Sequence, residues 1–330
     1  MTPARAKEIL KRFKERKVLV LGDCMLDHWL WGSVTRISPE APVPVVDIER
    51  STFTPGGAAN VVHNISSLGA SSGIVGVVGH DESGRTLRRI LEEQGAQTDA
   101  LIADKHRPTT TKTRIIAHSQ QVVRADAERR EPVNGELAKR VLKAVHSIED
   151  GYDALLVSDY HKGVITPALL HPMLESAVKR QAVIVVQPKP DNMKLFKDMG
   201  VTVVAVNERE ARAATGLSTD DDAHVEVAAR SILDTIGSRI VVITRGPKGM
   251  SVVSKGDSDP HHVPAFARQV YDVSGAGDTV VSVLTLALAC DATPVEATNL
   301  ANFAAAVVVQ KVGTATVTID EILGAMKEHV

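Results

Sequence analysis

Short runs of branched aliphatic residues recur along this chain at 17–22, 73–78, 154–157, 182–186, 201–206 and 239–244. Runs this short and continuously apolar mark strands buried on both faces, and helical patterns such as 84–93 and 135–148 lie between them. That alternation builds βαβ units around a mostly parallel sheet, an α/β protein in three layers. Aromatic residues make up only 3% of a chain that is 44% hydrophobic, so Val, Ile, Leu and Ala must supply the core. Many strands covered on both sides are then required. Helices are expected at 278–290 and 294–311, and a surface helix of alternating charge within 1–17.

Two segments break the rhythm. Residues 28–53 are rich in Pro, Trp, Val and Thr without helical periodicity, and 109–124 alternate partly between polar and apolar. Both are expected as exposed strands outside the main sheet, together forming a small projecting lid or an interface, with two irregular loops as the alternative. Trp29 and Trp31 fall in this lid, where they are expected to pack at a contact between subunits instead of in the core. The length fits one domain over 1–330 with this appendage.

Charge excludes some classes. Lys and Arg number 38 against 40 Asp and Glu, a formal net of −2, which is wrong for a nucleic-acid reader working through a basic face. Cys24 and Cys290 are too few and too far apart for a disulfide scaffold or a metal knuckle, and a reducing, cytoplasmic setting is expected. No stretch reaches the apolar length of a membrane span.

The sharpest local signal is Asp272-Val273-Ser274-Gly275-Ala276-Gly277-Asp278-Thr279 ahead of an apolar helix. The glycines let a ligand approach the backbone, and the helix start offers N–H groups to an anion. Asp278 inside that anion hole is placed to take a hydroxyl proton; a plain helix cap is the competing interpretation. A second cluster, Pro55-Gly56-Gly57-Ala58-Ala59-Asn60, opens another small-residue helix. Asn60 there can donate to and accept from a polyol, unless the cluster merely packs a helix start tightly. No Gly-Lys-Ser/Thr follows these glycines, so this is no Walker A loop, and the dinucleotide fingerprint of a nicotinamide dehydrogenase is absent.

On these motifs the chain resembles the PfkB-type (ribokinase-like) carbohydrate kinases and, within them, the heptose 7-phosphate kinases of lipopolysaccharide core synthesis. The family signatures are Gly56-Gly57-Ala58-Ala59-Asn60 and Asp272 to Asp278. The heptose-kinase resemblance rests on Gly22-Asp23 with Asp27, on Arg36-Ile37-Ser38-Pro39-Glu40-Ala41-Pro42-Val43-Pro44-Val45, on Ser158-Asp159-Tyr160-His161-Lys162-Gly163 and on Lys311-Val312-Gly313-Thr314. These occur in order over 17–323.

The resemblance implies a ribokinase-like fold and roles for particular residues. Asp278 would be the base, and the backbone of Gly275, Ala276 and Gly277 the hole for the transferred phosphoryl group. Positioning suffices for such a base without a raised pKa. Asn207 and Glu210 would organise Mg²⁺, mostly through water. Thr244, Gly246 and Gly249 would lie along the phosphates of ATP, with the adenine pocket near Asn302 and Gly313. Asp27, Gly57 and Asn60 would line the sugar site, and Arg124, Lys162 and Lys189 are the candidate cations for a 7-phosphate.

The implied reaction is ATP-dependent phosphorylation of the anomeric hydroxyl of D-glycero-β-D-manno-heptose 7-phosphate. A homodimer paired through the lid is expected. Other PfkB kinases acting on ribose, fructose phosphate or a nucleoside, and a silent sugar or nucleotide sensor, are the alternatives. Whether a monovalent cation assists the anion hole is left open.

Two departures stand out. Related enzymes carry Asp-Pro-Lys where this chain has Gln187-Pro188-Lys189. Many also continue into a nucleotidyltransferase domain, whereas this sequence stops at Val330, so only the kinase step is expected.

Overall fold

Helix α1 (Pro3–Lys11) starts where Thr2 Oγ1 accepts the Arg5 N–H and Pro3 occupies the first turn. It is shorter than the 1–17 segment and less of a surface element, because Ala6, Ile9 and Leu10 fall on one face and are fully buried. The chain then enters β1 (Lys17–Gly22), two long strands β2 (Cys24–Ile37) and β3 (Pro44–Gly57), and α2 (Ala58–Ser67). Next come β4 (Ser71–Gly79), α3 (Glu82–Glu93), β5 (Leu101–Asp104), β6 (Thr110–Ala117), β7 (Gln120–Ala127), α4 (Gly135–His146) and β8 (Ala154–Ser158). The second half holds α5 (Pro167–Lys179), β9 (Val183–Gln187), β10 (Val203–Asn207), α6 (Glu208–Thr215), α7 (Asp222–Ile236), β11 (Ile240–Thr244), β12 (Met250–Ser254) and β13 (His261–Val263). Helices α8 (Ala276–Ala289), α9 (Pro294–Val308) and α10 (Ile319–Lys327) close it. This computed structural model describes residues 1–118, 120–146, 148, 151–257, 259–267 and 269–328. Ser119, in the 109–124 segment, and Ser147, in the 135–148 helical pattern, lie outside the described residues.

Among those residues the strands form a nine-stranded sheet, in the order β13-β12-β11-β10-β9-β8-β1-β4-β5, and a four-stranded sheet, β3-β2-β6-β7. The large sheet is parallel from β5 to β11, and only β12 and β13 run antiparallel, at one edge. Its strands read apolar throughout because each face has its own core. Val18, Val20, Leu156 and Val185 point to the side of α2, α8 and α9, while Leu19, Leu21, Leu155 and Val157 point to the side of α5 and α7. The architecture is the ribokinase-like α/β fold. No helix among the described residues is long and apolar enough to cross a membrane.

In the small sheet β2 pairs antiparallel with β3 and parallel with β6, and β6 pairs antiparallel with β7. Trp29 does not project outward from it. The residue is 7% exposed, its indole Nε1 donates to Thr54 Oγ1 at 3.2 Å, and its ring lies against Gly313. A large ring with an internal hydrogen-bond partner buries itself within its own chain.

β1 and β8 approach so closely at Gly22 that a Cβ there would stand 2.2 Å from the Ser158 carbonyl oxygen. Gly22→Ala is therefore expected to cost about 1–3 kcal/mol of stability by overpacking, seen as a fall of several degrees in Tm by calorimetry.

Candidate active site

The parallel strands end together. Gly22, Ser158 and Gln187 are register partners at the C-terminal ends of β1, β8 and β9, as are Asn207 and Thr244 at the ends of β10 and β11. Ligands of open α/β sheets bind outside these strand ends. The sequence places a carboxylate or a cation just beyond most of them: Asp23, Asp159, Lys189, Glu208 and Arg245.

Into this edge α8 brings Asp278. Gly275 is its N-cap at φ 78°, a left-handed conformation open to glycine, and no side chain caps the helix. A Cβ at Gly275 would also meet Asn60 Nδ2 at 2.8 Å. Ala276 and Gly277 form the first turn, so the positive end of the helix dipole faces the cleft beside Asp278. The Asp278 carboxylate is 3% exposed, and both of its oxygens are occupied. Asn60 Nδ2 donates to Oδ2 at 2.7 Å and the Tyr160 hydroxyl to Oδ1 at 2.6 Å. Burial pushes the Asp278 pKa up to about 6, against the two donors that favour the ionised form, and the charge of Asp27 adds to the rise. A buried carboxylate poised near neutrality can accept a proton.

The loop after β8 is held by a second buried carboxylate. Asp23 Oδ2 accepts the Tyr160 N–H at 2.9 Å and the Lys162 N–H at 3.0 Å, and Asp23 Oδ1 accepts the Val164 N–H at 3.0 Å. Asp23 thus fixes the backbone from which Tyr160 reaches Asp278. Tyr160 is half-buried, and the loss of solvent around its hydroxyl together with the Asp278 charge pushes the hydroxyl pKa well up, so it stays a donor. Asp159 stitches the neighbouring loop, accepting from the Lys189 N–H at 3.0 Å and from Asn192 Nδ2 at 2.8 Å.

Asp27 projects from β2 across this space, 4% exposed, with its oxygen beside Gly56. Its partner is Arg114 of β6, whose Nη1 donates at 2.7 Å. Burial raises the Asp27 pKa, with Arg114, Lys112 and Arg124 pulling it back. Gly57, at the end of β3, and Asn60, in the first turn of α2, adjoin the same space.

The three cations expected to meet a phosphate stand in ion pairs. Arg124 clasps Asp126 through Nε at 2.9 Å and Nη2 at 3.0 Å. Lys162 reaches Glu128, just beyond β7, at 2.5 Å. Lys189 lies 2.5 Å from Glu210 Oε1 and 5.4 Å from the Tyr160 ring centroid.

Asn207 and Glu210 form a capping box on α6: the Glu210 N–H donates to Asn207 Oδ1 at 2.8 Å and the Asn207 N–H to Glu210 Oε2 at 3.1 Å. No group of three His, Cys, Asp or Glu side chains with metal-ligand geometry occurs among the described residues. One carboxylate and one amide at the cleft rim fit a magnesium ion that keeps most of its waters, and do not fit a metal caged by protein ligands.

Beside the start of α8 runs an apolar cleft of about 440 Å³ between the turn after β11 and helices α8 and α9. Thr244, Gly246 and Gly249 line one wall, Ala276 and Gly277 the floor, and Asn302 the far end. Asn302 Nδ2 donates to the Pro264 carbonyl at 2.6 Å, fixing the segment that forms the rim. Gly313 lies nearer the small sheet, its N–H bound to Asp272 Oδ2 at 2.9 Å.

Sequence motifs thus lead to Asp278, Asn60, Asp27 and the apolar cleft. The roles of Asp23, Tyr160 and Arg114 were not foreseen. The first two belong to recognisable motifs that carry no signal for their hydrogen bonds, which join segments more than a hundred residues apart. Arg114 was detectable in principle, since Lys112 and Arg114 are two apart on one strand and so share a face.

A family model described as pfkB family carbohydrate kinase matches residues 15–321. The chain is 41% identical over 324 residues to the bifunctional protein HldE of Trichlorobacter lovleyi, covering 98% of this chain and 65% of that protein. Against the protein of the same name from Geobacter sulfurreducens it is 42% identical over 308 residues, 93% of this chain and 62% of that one. The chain therefore spans a little under two thirds of these curated relatives. Among solved structures, phosphofructokinase-2 from Escherichia coli, in complex with substrates and products, superposes with a TM-score of 0.77 at 21% identity, covering 95% of this chain and 99% of that one. Arabidopsis thaliana ribokinase complexed with ribose and ATP gives 0.73 at 17% identity over 94% and 99%.

Proposed function

We propose that this chain, which belongs to the pfkB family of carbohydrate kinases, transfers the γ-phosphoryl group of ATP to the anomeric hydroxyl of D-glycero-β-D-manno-heptose 7-phosphate, giving the 1,7-bisphosphate and ADP. The observation that carries the reading is the placement of Asp278, buried between Asn60 and Tyr160 at the start of α8 and beside the apolar cleft. The heptose substrate rests on the motifs at 36–45, 158–163 and 311–314.

In this mechanism ATP lies in the apolar cleft with its phosphates along Thr244, Gly246 and Gly249. Asp27 accepts hydrogen bonds from sugar hydroxyls, with Gly57 and Asn60 completing the pocket. Asp278 takes the proton of the reacting hydroxyl as its oxygen bonds to the γ-phosphorus and the bond to the ADP oxygen breaks. The N–H groups of the Gly275–Gly277 turn stabilise charge on the transferred group. Magnesium, when bound, neutralises phosphate charge, and Asn207 and Glu210 would hold it through water. The small sheet, which the chain enters after Asp23, acts as the lid over the sugar and excludes water. Its exposed apolar residues, among them Ile48, Phe53 and Val123, are the surface through which two copies pair.

Two results test this chemistry. In ³¹P NMR of the product, the new phosphate resonance is expected to couple to the anomeric proton, and coupling to a proton on any other carbon would overturn the assignment. Tyr160→Phe removes a donor to the Asp278 carboxylate. A lost hydrogen bond to a charged group is worth about 1.5–3 kcal/mol, enough to move a pKa by roughly one to two, and the sign is upward because the donor favoured the anion. The acidic limb of the kcat/KM profile is accordingly expected to move above its parent position near pH 6, which is measured by initial rates at subsaturating sugar across pH 5–9.

A further inference from the structure

We propose that Arg114, flanked by Lys112, binds the phosphate of the acceptor sugar, an inference that rests on the sugar-phosphate reading above and names the cation it needs. Register places Asp27, Lys112 and Asp126 in one row across β2, β6 and β7, and Trp29, Arg114 and Arg124 in the next. All six share one face of the small sheet, since strand side chains alternate. Among these six, three cations stand against two carboxylates, one positive charge in excess.

The cations are not equivalent. Arg124 has both Nε and Nη2 on Asp126, and Lys112 lies 3.4 Å from the same carboxylate. Arg114 gives Nη1 to Asp27 and lays its guanidinium 4.6 Å from the Trp29 ring centroid. Its Nε and Nη2 have no hydrogen-bond partner among the described residues, and its side chain keeps 13% of its surface open. A planar fork pinned on one face and one corner, with its other donors free, suits a phosphate monoester bound through two parallel hydrogen bonds. Lys162 and Lys189 are each drawn to a carboxylate at 2.5 Å, Glu128 and Glu210, and as point charges they offer no second parallel donor. A phosphate in this space can belong to the acceptor or to the nucleotide. Arg114 is joined directly to Asp27, the residue that orients the sugar, and this assigns it to the acceptor.

The test is steady-state ADP release by the parent, Arg114→Gln, Arg114→Lys and Lys162→Gln, with heptose 7-phosphate and with non-phosphorylated heptose, ATP being varied separately. The expected result is a roughly 10–100-fold fall in the kcat/KM ratio of phosphorylated to non-phosphorylated heptose for Arg114→Gln, typical of losing a bidentate ionic contact. Arg114→Lys falls less, and Lys162→Gln leaves the ratio unchanged. Equal losses on both acceptors, or a rise confined to the KM for ATP, would overturn the assignment. Arg114→Lys, which keeps the charge opposite Asp27, carries the comparison should Arg114→Gln fail to fold. A parent enzyme with no preference for the phosphorylated sugar overturns the sugar-phosphate reading itself, and this inference with it, before any variant is made.

Discussion

Asp278→Asn is expected to lower kcat by about 10²–10⁴-fold, the usual worth of a positioned general base, while the KM for ATP changes little. The carboxylate is the one proton acceptor that the start of α8 brings to the cleft, and an amide of the same shape cannot take a proton. Stability should move the other way. A carboxyl whose folded pKa is raised to about 6 is most stabilising when protonated, below its unfolded value near 3.8, and that contribution is lost as pH rises through 6. The gap between 3.8 and about 6 corresponds to about 3 kcal/mol at pH 8. Asp278→Asn removes the ionisation, so its Tm at pH 8 should be no lower than the parent's, measured by calorimetry. Loss of activity together with a sharp loss of Tm would mean that Asp278 serves the fold.

Asp23→Asn should damage both fold and turnover without touching the reacting atoms. Three backbone N–H groups converge on the Asp23 carboxylate, and an asparagine amide nitrogen would face at least one of those donors. A buried donor left without an acceptor costs about 1–3 kcal/mol, so the loop carrying Tyr160 loosens. The expected result is a Tm several degrees lower and a kcat reduced at least tenfold at a temperature where the variant is still folded, with the KM for ATP within about twofold. Hydrogen exchange at 158–164 should quicken relative to β1, which locates the damage. An unaltered kcat would show that Tyr160 does not need this anchor.

Much of the molecule was legible before its structure. The aliphatic runs announced the large sheet because parallel strands are buried on both faces and cannot hide that composition. Strand ends were less distinct: β10 begins at Val203, two residues inside the apolar run, since apolarity alone does not mark where pairing starts. In the site, Gly275, Asp278 and Asn60 stood out because a backbone that must reach a ligand leaves glycines and small residues behind. The cations could not be ranked. Arg124, Lys162 and Lys189 look as suitable as Arg114 on paper, and only geometry reveals that Asp126, Glu128 and Glu210 already hold the first three. Trp29 misled for a related reason, because an aromatic residue in an exposed segment can still turn inward onto Gly313.

The decisive measurement is ADP release by the purified protein with ATP and, in parallel, heptose 7-phosphate, fructose 6-phosphate and ribose. A kcat/KM for heptose 7-phosphate at least a hundredfold above the other two, abolished in Asp278→Asn, is the expected result. Comparable or greater turnover on ribose or fructose 6-phosphate, or ATP binding without turnover on any sugar, would contradict the assignment.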